Sequence, residues 1–358
     1  MQTELQAMKI STHNDWDPLK DVIVGSAHNA RVPTVDASTM SFSYASQPIE
    51  QVRAIEGPLP QGIIDEANED VEALAAALRE AGVNVRRPTP LDTAAEFSTP
   101  EWCTTGWYTW CPRDLLLPLE NLMIEVPSPM RARYFETRAY HEVMLEAVAD
   151  GVEWIAAPKP ILPDAGYTFE DLARPTLCNL EPLFDAPNVV RVGRDLLYQV
   201  SNSGNSLGFQ WLKTVLERRG YRLHLAEHLY SFAHFDSTII PLRPGLVLLN
   251  ASRVTPENCP TMFAGWDKIY FDDMADLKQP PTGDAMLPCS PYIGLNVLSV
   301  APDLVCVDRR ETALMHELER HRITCIPLPM RHARLLSGGF HCVTLDLHRE
   351  GSLEDYCS

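Results

Sequence analysis

A thiol that follows a glycine turn is the first place in this chain to look for chemistry. Ser337-Gly338-Gly339-Phe340-His341-Cys342 allows close backbone approach and unusual dihedrals just ahead of a strand-like run. A thiolate is a nucleophile and a nearby imidazole stabilises it, whereas Cys342 alone reads more readily as a small buried hydrophobe. His234-Phe235-Asp236 supplies an imidazole. In an extended segment residues two apart share a face, so His234 and Asp236 address one pocket; the plainer reading is a satisfied polar pair at a sheet edge. Metal ligation by the same pair needs a second His cluster, which the sequence lacks, so no metal is expected. Asp114, in Trp110-Cys111-Pro112-Arg113-Asp114, and Asp185, in Glu181-Pro182-Leu183-Phe184-Asp185, lie beside apolar strands. A carboxylate there costs several kcal/mol unless partnered. Arg113 could partner Asp114, and Asp185 could cap the turn that follows. Three acids, a His and a Cys together suit a planar cation gripped by carboxylates while sulfur attacks its carbon. Guanidinium has that shape and its N–H fork matches carboxylates.

These residues need elements to hold them. Strand patterns fall at 21–25, 122–126, 196–201, 237–242, 247–250, 304–308, 324–328 and 342–347. An amphipathic helix is predicted over 63–81, with Asp65, Glu66, Glu69 and Asp70 in its first half complementing the helix dipole. Its end, Leu78-Arg79-Glu80-Ala81-Gly82-Val83, is echoed at 216–221 and 147–152, and at 318–323 without the glycine. Gly82, Gly151 and Gly220 are evenly spaced, each closing a helix just before a strand. A repeat architecture follows. Pro-rich connections at 156–182 and 278–291 are candidate walls or lids. No composition shift marks a boundary, so a single domain over 1–358 is expected.

Composition closes off other classes. The 358 residues are 45% hydrophobic and 22% charged, enough apolar material for a real core. With 30 Lys+Arg against 48 Asp+Glu the net charge is −18, which opposes a nucleic-acid or anionic-membrane surface. No apolar run reaches membrane-span length and the first residues lack a signal-peptide pattern. Nine Cys, an odd number without a CxxC pair, point to free thiols in a reducing cytoplasm.

The quoted segments, together with His13-Asn14-Asp15-Trp16-Asp17-Pro18-Leu19 and Ala157-Pro158-Lys159-Pro160, resemble the amidinotransferase family over nearly the whole chain. That resemblance implies a fivefold pseudosymmetric α/β propeller built of ββαβ modules, working without a cofactor and as a homodimer. By the same resemblance Cys342 is the nucleophile that takes the amidino group of arginine, His234 the acid/base and Asp185 its orienting partner. Asp114 and Asp236 match the carboxylates that grip the guanidinium, and Arg253 and Ser290 match the positions that hold the donor's α-carboxylate. Glycine-accepting animal enzymes carry Asn and Met where this chain has Ser231 and Ala233, which implies room for a larger acceptor amine. Ser337 stands in for the first of three glycines. Segments 200–205, 236–245 and 307–314 look most like the bacterial secondary-metabolism branch, whose acceptors include lysine and aminocyclitol phosphates. The acidic balance tilts the expectation toward an amino-acid-type amine. Two alternatives stay open: a hydrolase of the arginine deiminase type, with Arg253 and Ser290 arguing against agmatine, and a silent guanidino-binding protein.

Overall fold

The computed structural model describes residues 8–275 and 287–357. Strand β1 (Leu19–Val24) leads through helix α1 (Gln61–Glu80) to β2 (Asn84–Arg86), which runs parallel to it. The next unit is β3 (Leu116–Leu119), β4 (Leu122–Glu125), α2 (His141–Ala149) and β5 (Glu153–Ala156). It is followed by β6 (Val189–Val192), β7 (Asp195–Tyr198), α3 (Ser206–Glu217) and β8 (Arg222–Leu225). Then come β9 (Ile239–Arg243), β10 (Leu246–Asn250) and β11 (Asp267–Phe271). The last full unit is β12 (Leu298–Ala301), β13 (Leu304–Asp308), α4 (Thr312–Arg320) and β14 (Thr324–Leu328). Strand β15 (Thr344–Arg349) then returns to pair antiparallel with β1.

Among the described residues this makes five three-stranded sheets of one pattern, an antiparallel pair with a third strand parallel to its middle member. The fold is mixed α/β. Four units use a helix for the crossover that a parallel connection needs. The unit β9–β10–β11 departs from the expected module, because only a one-turn 3-10 helix (Thr261–Phe263) lies between β10 and β11. Shared apolar clusters join each sheet to the next: Ile23 and Leu345 pack with Leu116 and Met123, and Leu117 and Ile124 with Leu196 and Tyr198. Val190 and Leu197 pack with Val247, Leu248 with Val305, and Leu298 and Cys306 with Val22. The fifth sheet thus returns to the first.

The strands expected from sequence form, with ends moved by up to three residues, and 304–308 and 324–328 form as read. β15 starts at Thr344, which leaves Cys342 in the preceding turn, and His234-Phe235-Asp236 also lies in a turn, before β9. Strands β3 and β6 lie where apolar strands were expected beside Asp114 and Asp185, and β11 and β12 were not anticipated. Of the second Pro-rich connection, residues 278–286 lie outside the described residues. In α1 the acids do more than offset a dipole. Asp70 accepts from Arg331 Nε (2.8 Å), Glu69 pairs with Arg331 (2.7 Å) and Glu66 with His332 (2.6 Å), so the helix anchors the loop that leads to Ser337. Among the described residues no helix is long and apolar enough to cross a membrane.

The recurring helix ends share one backbone closure. Val83, Val152, Tyr221 and Ile323 donate to Leu78, Ala147, Leu216 and Leu318, five residues back. Gly82, Gly151 and Gly220 hold the left-handed position with φ of 80°, 91° and 83°; in the fourth copy Arg322 holds it at 62°. A side chain there costs roughly 1 kcal/mol. Arg322→Gly is therefore expected to stabilise the protein by about that much, a rise of roughly 1–2 °C in thermal melting. A lowered melting point would show that the Arg322 side chain makes up for its backbone.

Candidate active site

Cys342 is 2% exposed and is pinned from two directions. Its N–H donates to Asn296 Oδ1 (3.0 Å), and its thiol donates to Asp236 Oδ2 (3.1 Å). Contact with the Cys111 thiol, burial and the Asp236 charge together hold the Cys342 thiol well above the usual range. Asn296 acts as a clamp, since its Nδ2 also donates to the Asp236 carbonyl (3.2 Å). The turn before the thiol is tightly fitted. Ser337 takes φ = 53°, the conformation that the missing glycine would adopt freely, and a Cβ on Gly338 would lie 2.6 Å from Cys111 Sγ.

His234 Nε2 meets Asp185 Oδ2 at 3.0 Å, and Nδ1 lies 3.7 Å from Asp114 Oδ1. Burial alone favours a neutral ring, but Asp114, Asp185 and Cys342 outweigh it and hold His234 protonated, well above the ordinary histidine range. Arg133 donates to Asp114 Oδ2 (2.6 Å) and forms a fork with Glu136 (2.9 Å on each arm). Asp114 therefore pairs with Arg133, not with its neighbour Arg113, which turns away to Asp346 (2.8 Å). Asp114 Oδ1 and Asp185 Oδ1 have no hydrogen-bond partner. Burial pushes a carboxyl up, yet His341 and His234 keep Asp236 well below the usual carboxylate range. The resting set is a neutral thiol, an imidazolium and an ionised Asp236, while burial pushes the Asp114 carboxyl up against the pull of His234 and Arg133.

Cys342, His234 and Asp236 open onto one cleft of about 130 Å³ whose walls include Phe42, Arg253, Ser290 and Ser337. All nine residues singled out by sequence lie in this neighbourhood. Asp114 and Asp185 sit behind the imidazole and do not line the cleft. Arg253 lines it half-buried, its Nη1 on Thr238 Oγ1 (2.8 Å) and its guanidinium 5.6 Å from the Tyr292 ring centre. The hydroxyl of Ser231 is tied to the His234 carbonyl (2.6 Å) and to Gln199 (2.8 Å), whereas Ala233 presents only its methyl group. Of the two Pro-rich connections, 156–182 contributes nothing to the cleft and Pro288, Cys289 and Ser290 of the other do.

Sequence reasoning missed Asn296, Arg133, His341 and Phe42 as parts of this site. Phe42 sits in a π-helical stretch (Met40–Tyr44) and meets His234 edge-on, ring centres 5.5 Å apart. Nothing local marks Asn296 or Phe42; His341 stood beside the thiol in a segment already singled out. Among the described residues no group of three or more His, Cys, Asp or Glu could hold a metal.

A buried thiol, an imidazolium and nearby carboxylates meet at one cleft of this mixed α/β fold. The comparisons give the family. The chain is 46% identical over 347 residues to inosamine-phosphate amidinotransferase 1 of Streptomyces glaucescens, covering 97% of this chain and 99% of that one. It is 34% identical over 366 residues to the L-arginine:L-lysine amidinotransferase of Pseudomonas savastanoi pv. phaseolicola, with 99% of each covered. The solved inosamine-phosphate amidinotransferase of Streptomyces griseus superposes with a TM-score of 0.94 at 46% identity, over 98% of this chain and all of that one. No protein-family model matches. The chain belongs to the amidinotransferase family and is a transferase of that class.

Asp236→Asn removes the negative charge 3.1 Å from the sulfur. Alkylation of Cys342 by iodoacetamide at pH 7 should then quicken about tenfold, the effect of one pKa unit. Mass spectrometry with exposed Cys103 as internal reference reads this directly. An equal or slower rate would mean that the carboxylate does not hold the thiol neutral.

Proposed function

We propose that the protein moves the amidino group of L-arginine, through a covalent amidino-cysteine at Cys342, to the amine of an aminocyclitol phosphate, releasing ornithine. The single observation that carries the chemistry is Cys342 held between Asp236 and His234 at one cleft, with Asp114 and Asp185 behind the imidazole. The two inosamine-phosphate amidinotransferases at 46% identity support the aminocyclitol. A lysine-type amine is the second reading, favoured by the 34% identity to the lysine-accepting relative. The overall charge of −18 is a weak guide here, because the cleft walls themselves carry Arg253 beside the single carboxylate of Asp236. An acceptor larger than glycine suits the methyl of Ala233 and the tied hydroxyl of Ser231.

In this reading Asp236 holds the guanidinium from the cleft wall and Asp114 adds its charge from behind the His234 ring, while Arg253 and Ser290 hold the α-carboxylate. The arriving positive charge offsets Asp236 and lets the thiol ionise. Sulfur bonds to the guanidinium carbon as the bond from that carbon to the ornithine nitrogen breaks. His234 gives its proton to the departing amine, and the proton released by the thiol replaces it. Asp185 keeps the ring in place. The acceptor amine then enters the vacated cleft and the steps run backwards, a ping-pong sequence. Walls such as Phe42 and Ile293 limit water at the thiouronium, which turns the outcome from hydrolysis to transfer.

Five repeated sheets joined in a ring support a fivefold pseudosymmetric propeller forming one domain. Free thiols support a reducing cytoplasm, and the family resemblance supports a homodimer acting in secondary metabolism.

With arginine as donor, ornithine release should depend on added inosamine phosphate, and mass spectrometry should show the amidinated acceptor. Cys342→Ala should lower turnover roughly 10³-fold or more. Citrulline and ammonia as main products would overturn the transferase reading, and faster turnover with lysine would move the acceptor assignment to the second reading. Ala233→Met should fill the cleft and cut kcat/KM for the cyclitol at least tenfold while leaving ornithine release to hydroxylamine within threefold.

A further inference from the structure

We infer that His341, the residue before the thiol, is a positioning residue that keeps the Asp236 carboxylate ionised and aimed at a bound guanidinium. The inference rests on the guanidinium-binding reading above and adds to it a residue with no role assigned so far.

The geometry is specific. His341 Nδ1 lies 3.0 Å from Asp236 Oδ2, the same oxygen that accepts the Cys342 thiol. On its other side Nε2 lies 3.5 Å from Asp15 Oδ1. Each ring nitrogen thus faces a carboxylate oxygen. Its backbone is fixed as firmly: the His341 N–H donates to the Asn296 carbonyl (3.2 Å) and its carbonyl accepts from Arg113 Nε (2.8 Å). Asp15 is held in turn by Arg191 and lies 3.6 Å from Arg113. Behind Asp236, away from the main cleft, Asp15, Asp236, Ser299 and His341 border a cavity of about 20 Å³, room for one water.

Other charges around Asp236 do not replace this contact. His234 stands on the same chain segment but is engaged by Asp185 and Asp114. Asn296 touches only the Asp236 carbonyl, the thiol is neutral, and Arg191 and Arg113 reach Asp346 and Asp15 instead. Without His341 the Asp236 carboxyl would keep only the His234 charge and the thiol's hydrogen bond against burial, which favours its neutral form. A neutral carboxyl cannot hold a guanidinium, so binding would fail as pH falls through a raised pKa. The sign is fixed: the defect appears at low pH and heals at high pH.

The test uses the full chain carrying Cys342→Ala, so that binding is read without reaction, and guanidinium ion as the probe by calorimetry from pH 5 to pH 8. With His341 present, the dissociation constant should stay within threefold across that range. In His341→Asn, whose amide can still donate but bears no charge, it should rise at least tenfold between pH 8 and pH 5 and match the parent within threefold at pH 8. His341→Ala should show a larger rise with a midpoint at higher pH. If the alanine variant does not fold, as judged by melting, the asparagine variant carries the test. A pH-independent weakening, or a curve that superposes on the parent, would overturn the assignment to His341. Failure of the parent itself to bind guanidinium at any pH would instead sink the guanidine-transfer reading.

Discussion

A thiol kept neutral beside the ionised carboxylate of Asp236 is the interaction on which the rest of this site depends. Around Cys342 the acids Asp114, Asp185 and Asp236 face the imidazolium of His234, and Arg133 is shared between Asp114 and Glu136. Burial pushes Glu136 to about 7, which lessens but does not remove the negative excess. In so closed a site an added cation is favoured and a thiolate is not. Under the proposed mechanism the Cys342 thiol is therefore switched on by the charge of the guanidinium it attacks. An anionic or neutral compound of the same size would leave the thiol protonated.

Such a cluster needs a rigid frame, and a second buried ionic group provides it. Asp346 accepts from Arg349 (2.7 Å), Arg191 (2.8 Å) and Arg113 (2.8 Å), and Arg191 also holds Asp15. These side chains come from four stretches of chain: the N-terminal segment, the turn before β3, β6 and β15. Buried pairs of this kind seldom add net stability over apolar packing, yet removing one partner costs about 3–5 kcal/mol. Their effect is registry. They fix the ends of the ring against each other, and so fix Asp236 and His341 relative to the sulfur.

The repeated helix closures and the family were both legible in the residues to a large extent. Helix ends at Gly82, Gly151 and Gly220 are local events, governed by backbone closure within six residues, and they formed where the spacing placed them. The fourth copy formed as well, although Arg322 must take a conformation that favours glycine. His234 and Asp236 do meet one cleft, but through a turn and not through strand alternation. Asp114 illustrates the opposite case. Sequence offered Arg113 as its partner, while the 3-10 turn at Pro112–Asp114 sends neighbouring side chains apart and Arg133 arrives from another turn. The helix missing between β10 and β11 left no local trace either, since a connection of 16 residues can cross with or without one.

By itself the sequence determined most of the elements, the helix closures and the residue types able to handle a planar cation, because propensity, capping and side-chain chemistry act over a few residues. Only the tertiary structure decided which charges touch. Asn296 clamping Cys342, Arg133 on Asp114 and Asp15 behind His341 join residues 19 to 326 positions apart. Contacts of that range are set by how the ring closes, and the pKa of each group follows from them.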